Sequence, residues 1–372
     1  MMREIETLGQ LRPDTSGLQL SDVWSVVDSI AESDPRYKVR LITFHSGGDC
    51  SEIFRRTHIE GFEVVRHDFS DFWTFDLTRT VSRSNIEGGR RVVSGSFGLF
   101  KANSTGIWTA FTSEGPDFFS MALTRFIEEC RPQISFVHLT SDQLRQLFER
   151  LEAKSGCEVW VRKAVVYSHR EEGEIGFKKK PARVLFNFAE REDDYVDKVE
   201  YVLQSNGEAT LHAFASRDGV SYFFGGRMGY FTDMVLPAFA EEVSQSSELL
   251  AGRQRDSESG GLNPLAIVYK RNVFGRPEDN SHLIRALGNL DRSGLAVLHR
   301  NPYVHAAFLD FVDGSTFDIF VTGQNRISII PGYQSSVYSL ERLTEQIFKD
   351  FHEGKVEEDS QPSYTLSDFL TE

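Results

Sequence analysis

Apolar spacing along the first third predicts a helix, several strands and a second helix. LSDVWSVVDSIAESD (20–34) sets Leu20, Val23, Val26, Val27 and Ile30 three and four positions apart, with Ser21 or Asp22 placed as a cap. KVRLITFHS then alternates as a strand does, and FEVVRHDF and FWTFDLTRTV predict two more. VVSGSFGLFKANSTGIWTAFTS reads as a hairpin turning at 102–106, and FFSMALTRFIEECRP as a helix stopped by Pro132.

The middle third repeats that order. SDQLRQLFERLEAKSG (141–156) is an amphipathic helix carrying Leu144, Leu147, Phe148 and Leu151 and ending at Gly156. CEVWVRKAVVYSH and ARVLFNFAE read as strands around a charged excursion, HREEGEIGFKKKP. DKVEYVLQSNGEATLHAFASRDGVSYFFGG predicts three strands joined at Asn206-Gly207 and Asp218-Gly219, dipeptides that tolerate positive φ. FTDMVLPAFAEEVSQ closes the unit as a helix despite Pro237. In the last third, SHLIRALGNLDRSG reads as a helix, four strands follow between 295 and 333, and SSVYSLERLTEQIFKDFHEG closes as a helix.

Two stretches match without a gap, residues 106–129 and 219–242. They share Phe111/Phe224, Phe118/Phe231, Met121/Met234, Leu123/Leu236, Phe126/Phe239 and the acidic pairs 128–129 and 241–242. The shared positions are those where a hairpin's second strand meets the following helix, and the turns between them differ. This pattern predicts a duplicated fold unit with a shared core, rather than a duplicated active site. A third, shorter copy follows, since Phe97-x-x-Phe100, Leu211-x-x-Phe214 and Phe317-x-x-Phe320 each precede a turn, a strand and a helix.

The expected class is therefore α+β, with three related units of mainly antiparallel sheet flanked by helices. Their expected bounds are 1–135, 136–243 and 264–354. A Ser/Gly-rich linker or loop occupies 244–263, and an acidic tail 355–372. The order of helix, four or five antiparallel strands and helix resembles the helix-grip or TATA-binding-protein-like class. That resemblance implies a scaffold used by nucleic-acid binders, ligand binders and assembly proteins, so it assigns no task.

Composition narrows the possibilities. The 372-residue chain carries a net charge of −14, spread along its length, so no domain-scale basic surface for duplex DNA is evident. Its 30 Phe residues suit well-packed sheets under helices, or a Phe-lined cavity. Three cysteines, none closely paired, argue against a disulfide framework and against a zinc knuckle. With no signal-like run and no apolar stretch of membrane-spanning length, the expectation is a cytoplasmic protein without membrane partners.

Candidate chemistry is sparse, and no cofactor is expected. His45, Asp49 and Cys50 share a loop that could hold an activated thiol. His67, Asp68, Asp71 and Asp76 could bind a divalent cation, though strand parity splits them between two faces. Gly225, Gly226 and Arg227 enter a helix and could hold an anion on free backbone amides. Arg162, Lys163, Lys178, Lys179, Lys180 and Arg183 form the best local basic patch, fit for nucleic acid or an acidic partner. Tyr364, Leu366, Phe369 and Leu370 give the tail the spacing of a docking segment. The leading expectation is a non-enzymatic assembly or adaptor subunit that binds a protein partner. The alternatives are a nucleic-acid-binding subunit of a DNA- or RNA-handling complex, and a metal- or thiol-dependent enzyme. Oligomeric state is not encoded in any of these signals.

Overall fold

A computed structural model describes residues 18–34, 36–82, 89–103, 105–169, 174–253 and 263–359. The chain is α+β, and it divides into two compact units, the first running to Glu248 and the second from Leu249.

The large unit starts with α1 (Leu20–Ser33), β1 (Val39–Ser46) and α2 (Cys50–Arg56). Next come β2 (Phe62–Asp68), β3 (Trp73–Ser82), β4 (Arg90–Lys101) and β5 (Ile107–Thr112). A π-helical turn, Phe118–Leu123, leads into α3 (Thr124–Glu129), and β6 (Ile134–Phe136) follows. The second half contains α4 (Ser141–Ser155), β7 (Glu158–Ser168), β8 (Glu174–Pro181), α5 (Ala182–Glu192), β9 (Asp194–Ser205), β10 (Glu208–Ser216) and β11 (Val220–Gly226). It closes with α6 (Met228–Tyr230), a second π turn over Phe231–Val235, and α7 (Leu236–Leu250).

These strands make one sheet in the order β2-β3-β4-β5-β1-β11-β10-β9-β7-β8, with β6 also paired to β1. The expected units 1–135 and 136–243 thus share a sheet, joined where Val39–Ile42 of β1 pair antiparallel with Val220–Phe223 of β11. β1 is buried on both faces. Val39 and Leu41 enter one core with α1, α4, α5 and the α6–α7 segment, while Ile42 and Phe44 enter another with α2 and α3.

The duplicated segments therefore lie on opposite faces of one sheet. Phe118 and Phe126 pack in the α2–α3 core, and Phe231 and Phe239 in the α4–α7 core. π turns are rare, and both copies place one at the same aligned position, Phe118 and Phe231. Their aligned strand residues correct the expectation of a strand–helix contact. Phe111 points away from its own helix and packs 4.6 Å from Trp24 of α1. Phe224 also points away from its helix, but onto a face where no described helix stands in the place of α1, and it is only partly buried.

Two local expectations also change. ARVLFNFAE forms α5, because Ala182, Leu185, Phe186 and Ala189 share a helical face that packs on α4 and the sheet. FKKKP, expected within a charged excursion between strands, belongs to the edge strand β8. The turn at Asn206-Gly207 holds, with φ of 52° and 85°.

The small unit has β12 (Leu265–Val268), α8 (Pro277–Gly288), β13 (Ser293–His299), β14 (His305–Asp310), β15 (Thr316–Gly323) and β16 (Arg326–Pro331). It ends with α9 (Val337–Asp350) and β17 (Lys355–Glu358). Its sheet order is β13-β14-β15-β16-β12-β17. Position by position this is the order β2-β3-β4-β5-β1-β6, with α8 and α9 standing where α2 and α3 stand. The start of the expected tail is thus a strand, β17, paired with β12 through Leu265–Glu358 to Val268–Lys355. The expected linker at 244–263 begins as helix, with Ser247 buried in α7. No described helix is long and apolar enough to cross a membrane.

Candidate functional site

On the second half of the large sheet, α4, α5 and α6–α7 all pack on one face. The alternation of the strands sends every second side chain to the other face. β11 contributes Tyr222 and Phe224 there, β10 contributes His212 and Phe214, β9 contributes Lys198 and Glu200, and β7 contributes Trp160, Arg162 and Lys163. Lys178 of β8 stands opposite Lys163, and Lys38, just before β1, and Arg40 of β1 close the other end. From β1 to β8 the face spans roughly 24 Å at ordinary strand spacing.

Rings and cations alternate across it. Phe214 and Tyr222 stack at 4.8 Å, and His212 lies 4.8 Å from Phe224. The Lys38 ammonium sits 5.1 Å above the Phe224 ring, and the Arg40 guanidinium 5.8 Å from Tyr222. Arg40 also donates to the Glu114 carbonyl at 2.6 Å, which fixes its side chain. His212 Nε2 lies 2.7 Å from Glu200, and Arg162 approaches the same carboxylate at 3.8 Å. Burial lowers the His212 pKa although Glu200 opposes it, and burial raises that of Tyr222. The face thus carries Lys38, Arg40, Arg162, Lys163, Lys178 and Lys198 against Glu158, Asp197, Glu200 and Asp218, whose charge reaches Lys198 and Tyr222. This is a local cationic surplus in a chain of net charge −14.

Of the sequence candidates, Arg162, Lys163 and Lys178 come together here. Lys180 turns to the helix-covered side, 5.7 Å from the Phe177 ring. Lys179 is left-handed, with φ 53°, and Arg183 sits in α5. Lys38, Arg40, Trp160, Lys198, His212, Phe214, Tyr222 and Phe224 are additions. The available signal was the alternation in LHAFAS and VSYFFGG, which places an aromatic or His on the face opposite the core residues Leu211, Ala213 and Phe223.

Most of the other described candidates are taken up by the fold, through bonds or burial. Gly226 fits a tight crossing, since a Cβ there would lie 2.4 Å from the Thr210 carbonyl. At the same helix start, the Met228 amide donates to Asp28 at 2.8 Å, so the chain's own carboxylate fills the expected anion position. Cys50 is fully buried, and burial raises its pKa well above the ordinary thiol value, which keeps it protonated rather than nucleophilic. Asp49 caps α2 through the Ser51 amide. Asp68 pairs with Arg66, and Asp71 accepts the Leu20 amide at 3.0 Å. His67 and Asp76 do share a face, 3.0 Å apart, because the turn between β2 and β3 resets the parity assumed from the sequence. Tyr364, Leu366, Phe369 and Leu370 lie outside the described residues. Compared by sequence, the chain matches no protein-family model and no curated protein.

Proposed function

We propose that the protein is a non-enzymatic subunit that binds single-stranded nucleic acid on the open face of β11, β10, β9, β7 and β8. The observation that carries this reading is the alternation of rings and cations on a sheet face that, among the described residues, is covered only where Tyr222 packs on Phe119, in an otherwise acidic chain. Bases have apolar faces that stack on Phe214, Tyr222, Phe224 and Trp160, while the backbone phosphates meet Lys38, Arg162, Lys163 and Lys178. A duplex hides its base faces and gives the rings nothing to stack on.

Fluorescence anisotropy with labelled uridine and thymidine oligomers tests the reading. Binding should weaken with salt, with a log–log slope as steep as about −4 if all six cations meet phosphates. Lys163→Glu with Lys178→Glu should flatten that slope, and Tyr222→Ala should cost about 1–3 kcal/mol per stacked base. No anisotropy change at low salt would sink it.

The adaptor reading has its own support in the small unit. Gly294, Ala296, Ala307, Leu309, Thr316 and Asp318 line a recess of ≈ 410 Å³ on the sheet face away from α8 and α9. A protein partner seated there would be lost in Leu309→Lys while oligomer binding at the other unit stayed intact.

A further inference from the structure

Strand edges leave N–H and C=O groups unpaired, and proteins guard them with charge, proline or bulges. The large sheet ends in β2, which carries Glu63, Arg66, His67 and Asp68, and in β8, which carries Lys178, Lys179, Lys180 and Pro181. The small sheet ends in β17, which reads KVEE, and in β13, which reads SGLAVLH. β13 has no Lys, Arg, Asp, Glu or Pro, and its one register shift falls at the far end, between Val297 and His299. None of its residues is buried, although Leu295, Ala296, Val297 and Leu298 are apolar.

The backbone is available for pairing as well. The Arg292 carbonyl accepts from the Phe311 amide at 3.0 Å. By the alternation of an antiparallel ladder, Ser293, Leu295 and Val297 direct their N–H and C=O away from β14. Exposed large apolar side chains cluster beside this edge: Leu298 (60%), Phe311 (59%), Tyr303 (49%) and Leu309 (36%). Such a cluster marks an interaction surface.

We propose that β13 is a strand-addition site and that its occupant is β13 of a second copy of this chain. Aligned antiparallel about Ala296, the edge is complementary to itself. Leu295 pairs with Val297 through outward-facing backbone, Ala296 meets Ala296, and Ser293 meets His299. No like charges oppose each other within the strand, and an uncharged edge offers nothing to select a charged peptide. The contact is isologous and closes as a two-fold dimer that joins two six-stranded sheets.

Light scattering and sedimentation equilibrium of the full chain, from about 1 µM to about 100 µM, should show a monomer–dimer equilibrium. Ala296→Lys and Leu298→Lys, both at exposed positions, should shift it to monomer without changing the thermal midpoint. Val65→Lys, on the equivalent edge β2, should leave the dimer as it was. If a β13 variant unfolds, amide exchange on the unaltered chain decides. Protection of Leu295 and Val297 that rises with concentration supports the dimer, and protection independent of concentration overturns it. A strictly monomeric chain, a dimer that survives both β13 substitutions, or a monomer that captures only a different protein at β13 overturns it equally.

Discussion

β2 and β13 occupy the same place in the same order of elements, yet their chemistry is opposite. Each is the outer strand of a meander whose last strand returns beside the first, under two helices. β2 holds Arg66 between Glu52 and Asp68, at 2.6 Å from each, so its exposed side is charged and engaged. β13 presents GLAVL without a charge. The inner strands differ in the same sense. β1 has strands on both sides along its length and is buried on both faces, while β12 is covered on its outer side by the four residues of β17. A topology used twice has been closed by β11 and guarded by charge in one unit, and left with an open edge in the other. Order of elements sets which strand is an edge, and side chains set what that edge does.

The small unit depends most on β17, for which the large unit has the counterpart β6 as well as β11 beside β1. Ending the chain at Gly354 removes the strand that pairs with β12, while ending it at Asp359 keeps it. The first truncation should cost about 2–4 kcal/mol from the lost ladder bonds alone, a large share of the small unit's stability, read by urea unfolding. The second should leave the unit's amide exchange unchanged. In the large unit, Phe54 contacts Phe44, Phe75, Phe97 and Phe126, with ring centroids 5.0–6.1 Å apart. Phe54→Ala should cost about 3–5 kcal/mol, read by urea unfolding, because these rings cannot close the cavity.

Much of this fold was legible because helices and hairpins declare themselves locally. The capped helix at 141–155, the Asn206-Gly207 turn and the repeated hairpin-and-helix all carry their signal within a short window. What escaped depends on neighbours distant in sequence. KVEE reads as tail because its charges outweigh one valine, and only pairing with β12 makes it a strand. ARVLFNFAE fits either period, and the α4 surface beneath it selects the helix. The candidate site was legible only in its charged part. Arg162, Lys163 and Lys178 stand out in the sequence, whereas Phe224 looks like core until the sheet shows that its copy of the helix lies on the other face.

Within the small unit, two buried carboxyls make a finer test. Asp310 is paired with Arg342 at 2.5 Å, whereas one Glu341 oxygen is buried without a partner. Burial pushes the Glu341 pKa up to about 8, and the charge of Glu345 adds to the shift. A folded pKa above the unfolded one means that the protonated group supports the fold. That support is complete below the unfolded value, near 4.5, and is lost as pH rises through about 8. Glu341→Gln should therefore change little at acidic pH and gain about 4 kcal/mol at pH 8 in urea unfolding. An equal gain at both pH values would mean that proton binding at Glu341 is not the cause.

The smallest stability effect tests the edge argument itself. Glu63 is exposed on β2, next but one to Val65, which is 55% exposed. Glu63→Val removes the charge that separates Val65 from the end of the strand, and leaves the Arg66 bonds untouched. At such a position stability should stay within about 0.5 kcal/mol. Light scattering, however, should register new self-association at concentrations where the unaltered edge contributes none, because β2 would then resemble β13. To isolate the effect, the substitution belongs in the Ala296→Lys background, where association through β13 is blocked. If the double variant stays monomeric, charge is not what keeps β2 single. The difference between the two edges would then have to come from the twist of β2 and its packing against α2.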